Sequence, residues 1–496
     1  MSRPVNTIRT RAAGTLTRRA VATPVPDPRR WKALALVCTA FFMVVLDIAI
    51  VNVALPSIGR DLEFSEDNLQ WVITAYTLTF GGFLLLGGRA ADLLGRRRMF
   101  MIGVGFFALA SLACGLSNSE ATLIVARAVQ GLGAAVISPA VLSIITTTFT
   151  EGAERNKALG VWGGVGGSGA AAGVLFGGLL TKYLGWEWIF FVNVPVGLLV
   201  VALTPTFVQR SRRETARSYD ALGAVVVTGG LVLLVYAISE APDVGWATFR
   251  TIALLAVSVA LLAVFLVWET RSEAPLMPLG IFRIRLVAAA NAVGFLQAAG
   301  IFGHFLLLTL YMQQVLGYSA LQTGVGFLAT AGSAVVWAGV AQALATRISP
   351  KAVLVAGLIS LCLGVLWYTQ ISPDGSYPVD LLPGFLLVGF GLPFSFIPIS
   401  ILALGGVEER QAGLASGLIN TSQQIGGAIG VAVMSTVAIE HAETLLAEGN
   451  PPPIAFTDGF QWGFWVCFAI WASALAGALA LVRREELPVH EAVEAA

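Results

Sequence analysis

Fourteen times between residues 34 and 482 the chain runs for about twenty apolar residues before a charge or a helix breaker interrupts it. At 1.5 Å per helical residue, such a run spans the roughly 30 Å hydrocarbon core of a bilayer. The runs lie near 34–55, 70–88, 99–117, 121–142, 158–180, 188–207, 221–239, 250–268, 286–310, 319–343, 352–370, 381–404, 413–438 and 462–482. Only 12% of the residues are charged and 56% are hydrophobic, whereas a soluble chain would be about one-quarter charged. The expected class is an all-α, multi-pass membrane protein of fourteen transmembrane helices.

The distribution of charge tests that count. With both termini cytoplasmic, the tails and inside loops hold 26 of the 30 Lys and Arg, the outside loops hold only Arg60, Lys182 and Arg250, and Arg127 lies within a span. Positive charge concentrates on the cytoplasmic side of membrane proteins, and one helix more or fewer would destroy the asymmetry. The expected location is the cell (inner or cytoplasmic) membrane. A shift of 251 residues sets Gly88 on Gly339 and Arg96 on Arg347, which suggests two six-helix bundles related by an internal repeat. The expected organisation is a disordered cytoplasmic tail at 1–33, an N-terminal bundle at 34–207, and a two-helix insert with flanking loops at 208–285. A C-terminal bundle at 286–482 and a cytoplasmic tail at 483–496 complete it.

Several chemistries are excluded. Net charge of +1 offers nothing to nucleic acid, and His304, His441 and His490 have no metal-ligand spacing. Cys38, Cys114, Cys362 and Cys467 lie inside apolar runs and read as small hydrophobes. No lysine follows a glycine, so there is no P-loop. Gly164, Gly166 and Gly169 follow no strand, which removes the dinucleotide reading. No enzymatic constellation and no cofactor is expected, and powered motion would have to draw on an ion gradient.

Charge inside a span is a functional hypothesis by default, because an arginine at membrane depth costs about 2.5–3.5 kcal/mol even on the gentlest scale. Arg127 in helix 4 and Asp47 in helix 1 fall at similar depth, roughly 9 and 12 Å from the outer ends of their spans. Either the two form a static pair that holds helices together or Asp47 carries a proton. Helix 5 presents glycines at 160/164, 163/167 and 169/173/177, faces on which neighbouring backbones can touch. Helix 9 carries Asn291, Gln297 and His304, and helix 13 carries Asn420, Gln423 and Gln424. With Asn52 and Tyr76, the residues Asn291, Gln297, His304, Asn420 and Gln424 are the candidate cavity lining. Glu240, closing helix 7, reads as solvated.

Together these segments resemble the major facilitator superfamily, specifically its fourteen-helix drug:proton antiporter branch, from about residue 34 to 482. GGRAADLLGRRR looks like motif A, with Gly88, Asp92, Gly95 and Arg96 to Arg98 on its key positions. LIVARAVQGLGAA is similar to motif B, with Arg127, Gln130 and Gly131, and LDIAIVNVALPSI resembles the helix 1 signature through Asp47, Asn52 and Pro56. WEWIFFVNVPVG (186–197) and AGLASGLINTSQQIGGAIG (412–430) match further segments of the branch. Gly169, Gly173, Gly177 and Gly178 fit the antiporter motif C, although Val174 stands where the family usually has proline.

The resemblance implies alternating access, with Asp92 as a charge latch to the opposite bundle and Asp47 and Arg127 coupling protons to cargo. The implied cargo is an amphipathic small molecule or antibiotic, the coupling ion a proton, the surroundings a lipid bilayer, and the working unit a monomer. The missing proline leaves a proton-coupled importer of a small metabolite as the alternative direction. A membrane sensor without transport is the rival of another class.

Overall fold

A computed structural model of the chain describes residues 28–64, 69, 71–149, 153–210, 220–272, 275–407 and 411–482. Among the described residues all regular structure is helical. In chain order the long helices are α1 (Arg30–Asp61), α2 (Trp71–Leu94), α3 (Arg96–Gly115), α4 (Glu120–Thr148), α5 (Ala153–Tyr183), α6 (Asn193–Phe207) and α7 (Ala221–Val244). They continue as α8 (Phe249–Glu269), α9 (Arg285–Leu310), α10 (Ala320–Arg347), α11 (Pro350–Tyr368), α12 (Leu382–Leu404), α13 (Ala412–Ala447) and α14 (Pro452–Leu481). Twelve helical stretches among the described residues are long and apolar enough to cross a membrane. Of the other two helices, α7 has the shorter described apolar stretch Leu222–Ile238, and several side chains within α5 lie outside the described residues.

Helix ends depart from the apolar runs. α1 begins at Arg30, inside the segment expected to be a disordered tail, and continues to Asp61. α13 continues to Ala447 and α14 begins at Pro452. Apolarity measures the membrane, whereas a helix continues until a breaker: IEHAETLLA favours helix, and Gly449 with a left-handed φ of 89° ends it. The expected span at 188–207 is interrupted at Val192, which separates a turn at Trp188–Phe191 from α6. Pro195 has no N–H to offer the Phe191 carbonyl, which loosens the helix there. The remainder of the two expected tails and the basic stretch 211–219 lie outside the described residues, as do the side chains of Pro56 and Val174.

α1 packs on α5 and α6, and α4 packs between α2 and α3. On the other side α9 packs on α13 and α14, while α12 lies against α10 and α11. The two groups meet where α2 crosses α13 and where α5 lies along α10 and α12. The α7–α8 hairpin is not a detached appendage, because α7 packs on both α2 and α13. A Cβ on Gly81 would contact both Val235 of α7 and Gln424 of α13. Trp246, just after α7, donates to Thr436 Oγ1 of α13 at 2.9 Å. Glu240 is not merely solvated, since Arg250 reaches it at 3.2 Å and also holds the Tyr236 hydroxyl.

The glycines of α5 divide by neighbour. Gly169, Gly173 and Gly177 face α1, while Gly160 and Gly164 face Gln342 and Ala338 of α10. A Cβ on Gly173 would sit 2.7 Å from the Leu46 carbonyl oxygen and 2.7 Å from the Ala49 methyl. Gly173→Val should therefore destabilise the α1–α5 contact by about 1–3 kcal/mol, the usual penalty of overpacking. Thermal unfolding of the purified protein measures this, and an unchanged Tm would contradict the close approach.

Candidate functional site

Asp47 is the centre of a sealed polar cluster. Its carboxylate accepts from Arg127 Nη1 at 2.6 Å, Gln130 Nε2 at 2.8 Å and Asn193 Nδ2 at 3.0 Å. Arg127 and Gln130 are one turn apart on α4, and Arg127 Nη1 also donates to Gln130 Oε1 at 2.7 Å. Ser111 Oγ of α3 accepts from Gln130 and Asn193 and donates to the Phe190 carbonyl. Asp47, Arg127, Gln130 and Asn193 are all at most 1% exposed. The cost of burying two charges is recovered only when geometry is good and the remaining polar atoms are satisfied, and here α1, α3, α4 and α6 all supply partners.

α2 closes the cluster. Arg127 Nε donates to the Val72 carbonyl at 2.9 Å, and the guanidinium carbon stands 4.3 Å from the centre of the Tyr76 ring. This is a desolvated cation–π contact. Gly131 explains how α2 comes so near, because a Cβ there would collide with the Tyr76 carbonyl and Thr79. Thr79 Oγ1 in turn donates to the Ala128 carbonyl at 2.7 Å. Tyr76, expected in the cavity lining, is instead buried over the arginine.

At the arginine-rich end of the same helix, Asp92 reaches the other group of helices. Its two carboxylate oxygens accept from the backbone N–H groups of Gly413 at 3.1 Å and Leu414 at 2.9 Å. Those are first-turn donors of α13 with no partner in their own helix, and the helix dipole favours an anion there. Arg96 Nη2 lies 3.6 Å from Asp92 on its other side. Gly88, one turn back, permits the crossing: a Cβ there would sit 2.5 Å from the Gly413 oxygen and 3.1 Å from Gly417 Cα. Gly95 adopts φ of 97° between α2 and α3, a conformation that favours glycine.

The other candidate cavity residues do not converge. Asn291 accepts from Ser422 at 2.8 Å, and Gln297 Nε2 donates to Ser395 at 3.0 Å while the Gln297 backbone carbonyl accepts from Trp471. His304 Nδ1 bonds the Ile301 carbonyl at 2.9 Å, and the ring stacks on Tyr368. All three are buried; Asn291 and Gln297 join α9 to α13 and α12, while His304 bonds within α9 and packs its ring on Tyr368 and Trp471. Asn420 and Gln424 are half-buried on α13, and exposed Asn52 bonds the Ile48 carbonyl of its own helix. Asn193 and Ser111 went unnoticed in the sequence, where neutral polar residues raise no alarm. The one available signal for Asn193 was its place in WEWIFFVNVPVG.

Comparison with known proteins agrees in fold and family. The family described as Major Facilitator Superfamily matches residues 37–431. The puromycin resistance protein pur8 of Streptomyces alboniger is 43% identical over 92% of this chain and 92% of its own length. The cephamycin export protein CmcT of Amycolatopsis lactamdurans is 40% identical over 82% of this chain and 84% of its own. The tetracenomycin C resistance and export protein of Streptomyces glaucescens is 34% identical, with 86% and 80% covered. The crystal structure of the human organic anion transporter MFSD10 shares the fold with a TM-score of 0.65 at 17% identity, covering 91% of this chain and all of that one. With the family model matched over most of its length and a relative 43% identical, this helical chain, which buries a carboxylate–guanidinium pair and seats a second carboxylate on a helix N-terminus, belongs to the Major Facilitator Superfamily.

Proposed function

We propose that the chain exports amphipathic small molecules, antibiotics among them, from the cytoplasm in exchange for protons. In this reading α5 and α7 also cross, giving fourteen spans with both termini and the arginine-rich loops cytoplasmic. The observation that carries it is the sealed cluster at Asp47. A carboxylate held by three donors and closed from both sides can exchange a proton only when the helices around it move. Proton exchange is thereby tied to the change of access. Protonation of Asp47 removes the charge that Arg127 neutralises and frees the guanidinium from its partner. The relatives named for resistance and export support the direction and the class of cargo.

α2 supplies the mechanical connection. It carries Val72 and Tyr76 against Arg127 and, sixteen residues further, Asp92 against α13, roughly 24 Å along one rigid helix at 1.5 Å per residue. A shift of α2 at the charge cluster therefore displaces the latch. One proton crossing 100 mV supplies about 2.3 kcal/mol, enough to sustain roughly a 50-fold gradient of cargo.

Everted membrane vesicles test the reading, with puromycin as the first cargo in a panel of toxic compounds. Adding cargo to energised vesicles should release protons from the lumen only when the chain is present. Proton and cargo moving in the same direction would establish the importer that Val174, in place of the family's usual proline, leaves open, and would refute export.

A further inference from the structure

Beside the latch, where α3 begins and α6 has just ended, lies a groove of about 660 Å³ lined by Leu94, Gly95, Arg97, Arg98, Met101, Ile102 and Arg210. Three arginines converge on it, two from α3 and one from just past the end of α6, and no carboxylate lines it among the described residues. Arg97 is fixed in place by donating to the Val208 carbonyl at 3.2 Å. Arg98 and Arg210 are exposed. One turn from Arg98 along α3, Ile102 is 45% exposed, and Leu94 is 37% exposed. Large apolar side chains left open in this way belong in hydrocarbon, so the boundary between acyl chains and headgroups passes through the groove.

Orienting the helices would require only that the positive charges lie on one side, scattered over the loops. Here the charges instead surround a concave space whose floor continues into apolar surface. We propose that this groove binds one anionic phospholipid. Its phosphodiester would sit between Arg97, Arg98 and Arg210, with an acyl chain along Met101 and Ile102. Arginine suits the task, since its planar fork holds phosphate oxygens two at a time. The occupant is a lipid and not a soluble phosphate because the apolar half of the groove would otherwise face water. Bound there, the lipid braces α3 against the end of α6, one turn from Arg96 and Asp92. The proposal rests on the reading that the arginine-rich end faces the inner leaflet, but its test needs neither transport nor its direction.

The full chain, purified in mild detergent, is examined by native mass spectrometry after incubation with phosphatidylglycerol or phosphatidylcholine. Phosphatidylglycerol should be retained preferentially. The double variant R98Q/R210Q should lose that retention about 30-fold, taking about 1 kcal/mol per arginine near an anionic surface and about 1.4 kcal/mol per tenfold. Its phosphatidylcholine adducts and melting temperature should not change, which shows that the variant folds. R98K/R210K, which keeps both charges, should stay within a few-fold of the unaltered protein. Equal retention of the two lipids would overturn the proposal, and so would undiminished phosphatidylglycerol in R98Q/R210Q. Displacement of the lipid by glycerol 3-phosphate at matching concentration would reassign the groove to a soluble phosphate and equally overturn it.

Discussion

Arg127→Met should abolish gradient-driven efflux and lower stability by about 3–5 kcal/mol, the cost of leaving one charge of a buried pair without its partner. Asp47 would then hold only its Gln130 and Asn193 bonds, and Tyr76 would lose the cation beneath its ring. The loss of stability alone does not separate a working charge from a structural one. The double substitution Asp47→Leu with Arg127→Met does, because replacing both members of a buried pair by apolar residues is often neutral or stabilising. Unfolding temperature should return most of the way to that of the unaltered protein while efflux stays at background. Asp47→Asn, which keeps the shape and removes the titrating group, should insert normally and also fail to transport. Efflux at the normal rate in the double variant would show that the pair only holds helices together.

Gly88→Val should have the largest effect on which side opens. Its first added carbon would meet the Gly413 carbonyl at 2.5 Å. Because backbone, unlike a side chain, has no rotamer to yield, α2 and α13 must separate. That separation also withdraws Asp92 from the N–H groups of Gly413 and Leu414. A carboxylate at a helix N-terminus is worth up to about 2 kcal/mol in partly buried geometry, which is about a 30-fold shift in a two-state population. The readout is maleimide labelling of a cysteine placed at Ser416, now wholly buried on α13. The chain's own cysteines are all buried, so the background is low. Labelling should rise at least tenfold in Gly88→Val and less in Asp92→Asn, with cargo affinity little changed in the latter. Unchanged labelling in both, or a pure loss of binding in Asp92→Asn, would remove the latch.

The membrane class and the two intramembrane charges could be read from the sequence because each violates a strong solvation rule. An arginine and an aspartate in long apolar runs are costly wherever they stand, so they announce themselves singly and invite pairing. Asp92 was marked only through its motif, and its partners could not be read at all. They are backbone N–H groups, which every residue but proline carries, and only the arrival of a helix end makes two of them a receptor. Asn193 and Ser111 escaped for the opposite reason to Arg127, since a neutral amide or hydroxyl in a span raises little suspicion. Tyr76, Asn291, Gln297 and His304 were assigned to a cavity because polar residues in a transporter suggest cargo. The folded chain turns each toward a neighbouring helix or ring instead, the commoner fate of polarity in a membrane interior. The position of α7 was equally hidden, because a helix that faces protein and one that faces lipid can have the same apolar composition.

That last helix changes how the two halves can part. Had α2 and α13 met lipid alone along their outer seam, fluid acyl chains would simply flow into any gap between them. With α7 seated on both and tied to α13 through Trp246, the seam is backed by a splint of solid packing. Opening there must peel α7 from one neighbour or bend it with the pair. The insert thus gives this flank an added helix that any parting of α2 and α13 must either carry along or shed.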